Sequence, residues 1–398
     1  MNDSSMHMLP LSGIRVLDFS QALAGPVATQ VLADFGADVI KVERPGSGDL
    51  SRFSTMDVND LNNPVFASMN RNKRSIAIDL RSEPGKALVR RLVSEVDVVV
   101  NNFRPGVMER LGFSYEELRN INPRLIYGAT TGFGSSGPYQ HKGGQEVLAQ
   151  GFTGVMARRP DESVPYAVYS TCYADFMTAM IFAQGILLAL LARDRNGVGQ
   201  EVHTSLYETL LGLQLQEAAM LMTRNEELNW GAMPHTIVAP TTDGAVVFTG
   251  AFKRNPLQEI CAAIGMRDLT EEPRFEDVEN QTKNRVELQS LIKDHMRGES
   301  TATWIERLEA HDILCAPVRE LSEALEDPQT QHNETVITYH DDQGTEVRSV
   351  AHPLHLRATP AQMRYPVPSL GANGAEILAE FGLSELEIAS LYRDGVVV

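Results

Sequence analysis

One carboxylate stands alone where it could do chemistry. Asp175 lies at the head of a long apolar stretch, YADFMTAMIFAQGILLALLARDRNGVGQEV (residues 173–202), and no further charge follows until Arg193. A carboxylate in the first turn of a helix sits at the positive end of the peptide dipoles, beside amides with no intrahelical partner, so its ionised form is favoured. An oxygen nucleophile needs that state. Plain helix capping is the competing role, and aspartate serves it often.

Around this residue the sequence offers two further constellations. The segment GFGSSG (residues 132–137) matches GxGxxG and follows a predicted strand, but Pro138 and Gly143-Gly144 interrupt where a dinucleotide-binding helix should open. A mobile glycine loop beside a reactive centre fits better than a nicotinamide site. Arg71, Lys73 and Arg74 in NRNKRS, with Arg44, Arg104 and Arg110, form a basic set whose guanidinium groups could grip phosphates through paired hydrogen bonds. The plain alternative is a solvated basic face. No phosphate-loop motif and no GxSxG nucleophile elbow occurs. His352, His355 and the His340-Asp341-Asp342 cluster read as loop and turn residues rather than metal ligands.

Composition supports a small phosphorylated partner. The chain of 398 residues carries a formal charge of −17, which argues against nucleic acid or an anionic membrane as the main partner. Residues 41–110 nevertheless hold twelve Lys/Arg against nine Asp/Glu. Cys172, Cys261 and Cys315 show no CxxC spacing, which suits a reducing compartment. The first ten residues lack the pattern of a signal peptide, and residues 176–192 read as a buried helix rather than a membrane span. The expectation is a cytoplasmic, soluble protein.

The elements that must position these groups alternate. Strand-like IRVLDF (residues 14–19), a helix from Gly25 to Phe35, and a strand at residues 38–42 make a βαβ unit, and strand-like SIAIDL, DVVVNN, RLIYGA and EVHTS continue the series. Such alternation predicts an α/β fold with an open, mostly parallel sheet, and ligands bind at the carboxyl ends of its strands. One helix is expected from Leu206 to about Met222. Ser114 with Glu117, and Ser384 with Glu387, read as capping boxes, and residues 341–344 as a hairpin turn. The texture places a large domain at 1–224, a smaller α+β domain at 225–315, and a return to the large domain at 316–398.

Order and wording add a resemblance. LSGIRVLDFSQALAGP, GADVIKVERPGSGD, NRNKRSIAIDL, VVNNFRPGVMERLG, NPRLIYGATTGFGSSGPY, the Asp175 helix ending ARDRNGVGQEV, and PSLGANGAEILAEFGLSELEIASL together resemble the class III CoA-transferases, the formyl-CoA transferase-like or CaiB/BaiF family. The resemblance implies a Rossmann-like large domain built from both chain ends, a small domain, and two subunits interlocked as a homodimer. It implies Asp175 as the catalytic aspartate, Arg44 and Arg110 at the nucleotide end of CoA, and Asn72, Lys73 and Arg74 in a segment near it; Arg104, from the basic set, completes the candidate CoA-binding residues. Gln21 and Gln145 stand as candidates for the substrate pocket. The implied reaction needs no metal and no resident cofactor, since the CoA thioester enters as substrate and a small carboxylic acid accepts CoA. Amides of Gly132, Gly134 and Gly137 are candidates to hold the oxyanions that form.

Two departures bear on the substrate. Racemases of the family carry a histidine in GPYxxxxGHD; here the segment reads GPYQHKGGQE, and Gln145 cannot exchange a proton at neutral pH, although His141 lies four residues earlier. The glycine run of the formyl-CoA:oxalate enzymes is absent from residues 231–244. A CoA-transferase other than an oxalate enzyme is therefore expected, with a 2-methylacyl-CoA racemase and a non-catalytic CoA-binding protein as the alternatives.

Overall fold

In the computed structural model, which describes residues 8–57 and 59–398, the chain divides into two units. The signal-peptide reading falls mostly on residues 1–7, outside the described residues. The first unit comprises residues up to Val155, Val168–Gln214 and Gln331–Val398. Its centre is a six-stranded sheet of β1 (Arg15–Asp18), β2 (Asp38–Glu43), β3 (Lys73–Ala77), β4 (Val98–Asn101), β5 (Ile126–Thr131) and β6 (Glu201–Ser205). The order is β3-β2-β1-β4-β5-β6 with every neighbouring pair parallel. This is the doubly wound order, and its direction reverses between β1 and β4, where a crevice opens at the strands' carboxyl ends.

Strands β1 to β5 are buried on both faces, so their apolar runs divide by alternation. Leu17, Ile40, Val99 and Tyr127 face one core, which the helix Glu83–Val93 and the C-terminal residues Ile377, Leu378 and Phe381 complete. Val16, Val39, Val98 and Ile126 face the other, completed by Ala28 and Leu32 of the helix Ala24–Asp34 and by Ala179, Phe182 and Ile186 of the helix Tyr173–Asn196. The second helix lies close on β5. A Cβ on Gly128 would stand 2.8 Å from Phe182 Cζ, so only glycine allows that approach. The chain end returns to the sheet edge, where Val397 bridges Ile78 and the helix Gly374–Glu380 packs on β3.

The second unit comprises Met156–Ala167 and Leu215–Thr330. Its antiparallel strands β7 (Thr236–Pro240), β8 (Ala245–Thr249) and β9 (Leu314–Pro317) are packed by helices around Phe248, Phe275 and Trp304. The expected boundaries at 225 and 315 therefore move. β9 straddles residue 315 and pairs with β8, which binds it to this unit. The single helix expected from Leu206 is two, Leu206–Leu213 and Leu215–Arg224, and the division falls between them. In the first unit β10 (Val336–His340) and β11 (Glu346–Val350) form the expected hairpin, and both capping boxes are present.

The helix Tyr173–Asn196 corrects the expectation of full burial. By length and composition it could cross a membrane, yet one face is packed on the sheet while Phe176, Leu188 and Leu191 are exposed. An apolar helix that is uncovered on one side in a single chain carries more hydrophobic surface than the sheet can bury.

Candidate active site

A cavity of about 340 Å³ opens where the sheet order reverses. The segment after β1 supplies Gln21 and Ala22, the segment after β4 supplies Asn102 and Arg104, and β5 with its following loop supplies Thr130, Thr131, Gly132 and Gly134. Gln140, Lys142, Gly144, Gln145 and Asp175 close it. Of the residues singled out in the sequence, Asp175, Gln21, Gln145, Arg104, Gly132 and Gly134 thus meet in one place.

A buried ionic network fixes the floor. Lys73 Nζ lies 3.0 Å from Asp18 Oδ2, and Lys41 Nζ lies 2.7 Å from Asp49 Oδ2 and 2.9 Å from Ser20 O. Asp49 Oδ1 accepts from Ala22 N at 2.9 Å, and Asn102 exchanges hydrogen bonds of 2.8 and 2.6 Å with the backbone of Gln21. These contacts hold Ala22 at φ +65°, a conformation unfavourable for a residue with a Cβ. Burial pushes the Asp18 carboxyl up, but the charges of Lys73 and Lys41 and the hydroxyls of Ser20 and Thr29 override it and hold it down at about 2.

This network corrects part of the expected CoA set. Lys73 donates to Asp18, to Pro26 O and to Asn70, and is fully buried. Arg74 is clasped by Asp38 and Glu380, Asn72 by Asp34 and the backbone of residues 362–365, and Arg71 by Asp34. Their side chains are counter-ions and ties inside the fold, because β3 begins at Lys73 and turns them into the core. Arg44, Arg104 and Arg110 are exposed, and none of their side chains has a hydrogen bond or ion pair among the described residues. Arg104 lines the cavity; Arg44 and Arg110 do not. Arg158 and Arg159 are already engaged, the first by Leu228 O and Glu217, the second by Val164 O and the Tyr166 ring.

The glycine loop is held from behind. A Cβ on Gly132 would lie 2.2 Å from Gly144 Cα, so the two backbones touch. Gly132→Ala is expected to force them apart and cost about 1–3 kcal/mol, seen as a lower Tm in thermal denaturation. The loop is not a ready set of amide donors, however. Gly134 N donates to Thr131 Oγ1 at 2.9 Å, and Gly137 does not line the cavity. Residues with side-chain donors that do line it are Gln21, Gln140 and Gln145, and Thr130, whose hydroxyl is itself buried with no partner among the described residues. His141 is exposed and outside the lining.

Asp175 departs from the expectation that the helix end would favour its charge. Glu146 of the short helix Glu146–Phe152 reaches across and takes the amides instead, Oε1 accepting from Ala174 N at 3.1 Å and Oε2 from Asp175 N at 2.8 Å. Burial, and then the charge of Glu146, raise the Asp175 carboxyl to about 6. It is still about nine-tenths ionised at pH 7. Asp175 makes no capping bond of its own. Glu146 went unremarked in the sequence, where its only signal is an acid directly after Gln145.

Lys142 also escaped notice. Its ammonium lies 5.3 Å from the Tyr139 ring centroid and 5.4 Å from that of Phe152, and both rings pack on Phe133. The histidine and acid clusters are structural: His352 packs edge-on to Phe35, and Asp341 accepts the turn amides of Gln343 and Thr345.

A family model described as CoA-transferase family III matches residues 11–374. Succinyl-CoA--D-citramalate CoA-transferase of Chloroflexus aurantiacus is 34% identical, over 98% of each chain. Succinate--glutarate CoA-transferase of Agrobacterium fabrum is 32% identical, over 96% of this chain and 98% of its own. A CaiB/BaiF family protein from Brucella suis superposes with a TM-score of 0.82 at 30% identity, covering 94% of this chain and all of its own.

Proposed function

As a member of CoA-transferase family III, to which this chain belongs, the protein is a CoA-transferase, and we propose that it moves CoA between carboxylic acids through covalent chemistry at Asp175. The observation that carries this is a single carboxylate, largely ionised at neutral pH, in the cavity at the sheet's switch point.

An Asp175 oxygen attacks the donor thioester carbonyl; the C–S bond breaks, and CoA thiolate leaves a mixed anhydride on Asp175. The thiolate attacks the aspartyl carbonyl, the anhydride C–O bond breaks, and the donor acid departs as a carboxylate with one oxygen that belonged to Asp175. The acceptor carboxylate then attacks the resulting aspartyl–CoA thioester and runs the steps backwards. Each step exchanges one acyl bond for another, the anhydrides lying above the thioesters; the overall reaction replaces one thioester by another, and no net proton is consumed. The oxyanions are served by the Gln21, Gln140 and Gln145 carboxamides, a reading supported by their place in the lining.

The exposed guanidinium groups of Arg44, Arg104 and Arg110 bind the phosphates of CoA. Arg104→Ala or Arg110→Ala is expected to raise KM for acyl-CoA about tenfold with little change in kcat, measured by steady-state kinetics. Dicarboxylates are the acids we favour, from the names of the two relatives. A second copy, interlocked with the first, covers Leu188 and Leu191, and the cytoplasm suits three unpaired cysteines. Mixing the protein with succinyl-CoA, trapping with hydroxylamine and mapping the peptides tests the reading. A hydroxamate on Asp175 supports it; an unmodified Asp175 during turnover rejects it.

A further inference from the structure

Glu146 is the buried acid nearest the chemistry, and nothing in the reaction above uses it. A carboxylate with 8% of its surface exposed must be satisfied by donors. It has three: Ala174 N, Asp175 N and the Gln150 carboxamide at 2.7 Å. Gln150, one turn along the same helix, also exchanges hydrogen bonds of 3.0 and 3.2 Å with the backbone of Tyr169. One polar edge of this helix therefore grips the chain at both ends of the segment that leads into Asp175.

We propose that Glu146 is a positioning residue for CoA transfer: it occupies the amides at the head of the Asp175 helix, so that Asp175 faces the cavity without backbone donors and beside a fixed negative charge. The proposal rests on the covalent reading of Asp175. Amides at a helix head stabilise one carboxylate strongly, and here that carboxylate is not the nucleophile. Two consequences follow for the chemistry. The Asp175 oxygens stay more basic than in an ordinary aspartate, which favours attack on a thioester. Acylation also removes the Asp175 charge, so the repulsion by Glu146 is relieved in both covalent intermediates and opposes only the free carboxylate.

The other titratable groups near Asp175 do not supply this effect. Cys172 precedes it, and its thiol is pushed up by burial, Glu146 and Asp175, so it stays protonated. Glu208, on the adjoining helix Leu206–Leu213, is held by Ser205 Oγ at 2.6 Å. Arg104 and Lys142 share the cavity lining and carry the opposite charge.

The test is the rate of Asp175 acylation by succinyl-CoA in a single turnover, followed by hydroxylamine trapping across the acid range. In the native protein the rate is expected to fall as the pH drops through about 6. Glu146→Gln should move that limb down by about one pH unit and lower the plateau about tenfold. Glu146→Asp keeps the charge and shortens the reach, so it should slow acylation with the limb in place. A Glu146→Gln limb unmoved from the native one, with only the plateau reduced, would assign Glu146 a merely structural part and overturn the proposal. Should Glu146→Gln not fold, a limb that moves down in Glu146→Asp despite the retained charge overturns it equally. If the native protein forms no adduct, the covalent reading fails by itself, whatever Glu146 does.

Discussion

Asp175→Asn is expected to abolish CoA transfer, with a loss of at least about 10⁴-fold, while CoA binding survives and the protein becomes more stable. The activity loss follows from chemistry: a carboxamide cannot form the anhydride, and no other cavity carboxylate is placed to replace it. The gain in stability follows from linkage. Asp175 is raised to about 6 in the folded chain, above the ordinary value of 3.8. Its contribution to stability is thus intact below the ordinary value and is lost as pH rises through about 6. At neutral pH the native protein bears the full cost of a charge that is largely buried and held beside Glu146, on the order of 3 kcal/mol. Removing the charge should return that amount, seen as a Tm higher by a few degrees at pH 7 and unchanged near pH 4. A variant that is inactive but no more stable would contradict the electrostatic part of the account.

Lys73→Met is the second large effect, and it separates two readings of one residue. A CoA ligand would lose affinity and little stability. A buried counter-ion to Asp18 should lose about 3–5 kcal/mol, since the change strands a carboxylate that is fully buried. The native Asp18 carboxyl is held at about 2, below the ordinary 3.8, so its stabilisation is present above about 4 and is lost as pH falls through about 2. With Lys73 gone, burial is opposed by Lys41, two hydroxyls and the Ser20 amide, and the acid unfolding midpoint should move to higher pH. Chemical denaturation across pH reads both effects. Arg110→Ala is the control, because an exposed guanidinium should change affinity and leave stability alone.

This contrast marks what the sequence can and cannot express. Strands, capping boxes and the hairpin are local, and their residues announce them: the valines of β4, the spacing of Ser114 and Glu117, the turn at residues 341–344. Asp175 was legible because an isolated acid on an apolar helix is rare in composition and the surrounding wording matches a family. The fate of NRNKRS was not. The segment shows positive charge, but whether that charge meets a ligand or a buried acid depends on where β3 begins, and on Asp18, Asp34 and Asp38 that lie 36 to 55 residues earlier. Glu146 is hidden for the same reason, being joined to Asp175 across 29 residues of chain. The second unit's limits depended on β9, a four-residue strand whose partner is β8.

The most direct test of covalent transfer at Asp175 follows the oxygen atoms. An acceptor acid labelled with ¹⁸O in both carboxylate oxygens forms the second anhydride through one of them, and collapse of that anhydride leaves the bridging oxygen on the enzyme. After turnover with unlabelled succinyl-CoA, peptide mass spectrometry should find ¹⁸O in the Asp175 carboxylate and nowhere else. Turnover that leaves Asp175 unlabelled would mean that the acids exchange CoA without passing through this residue, and the account would be wrong at its centre.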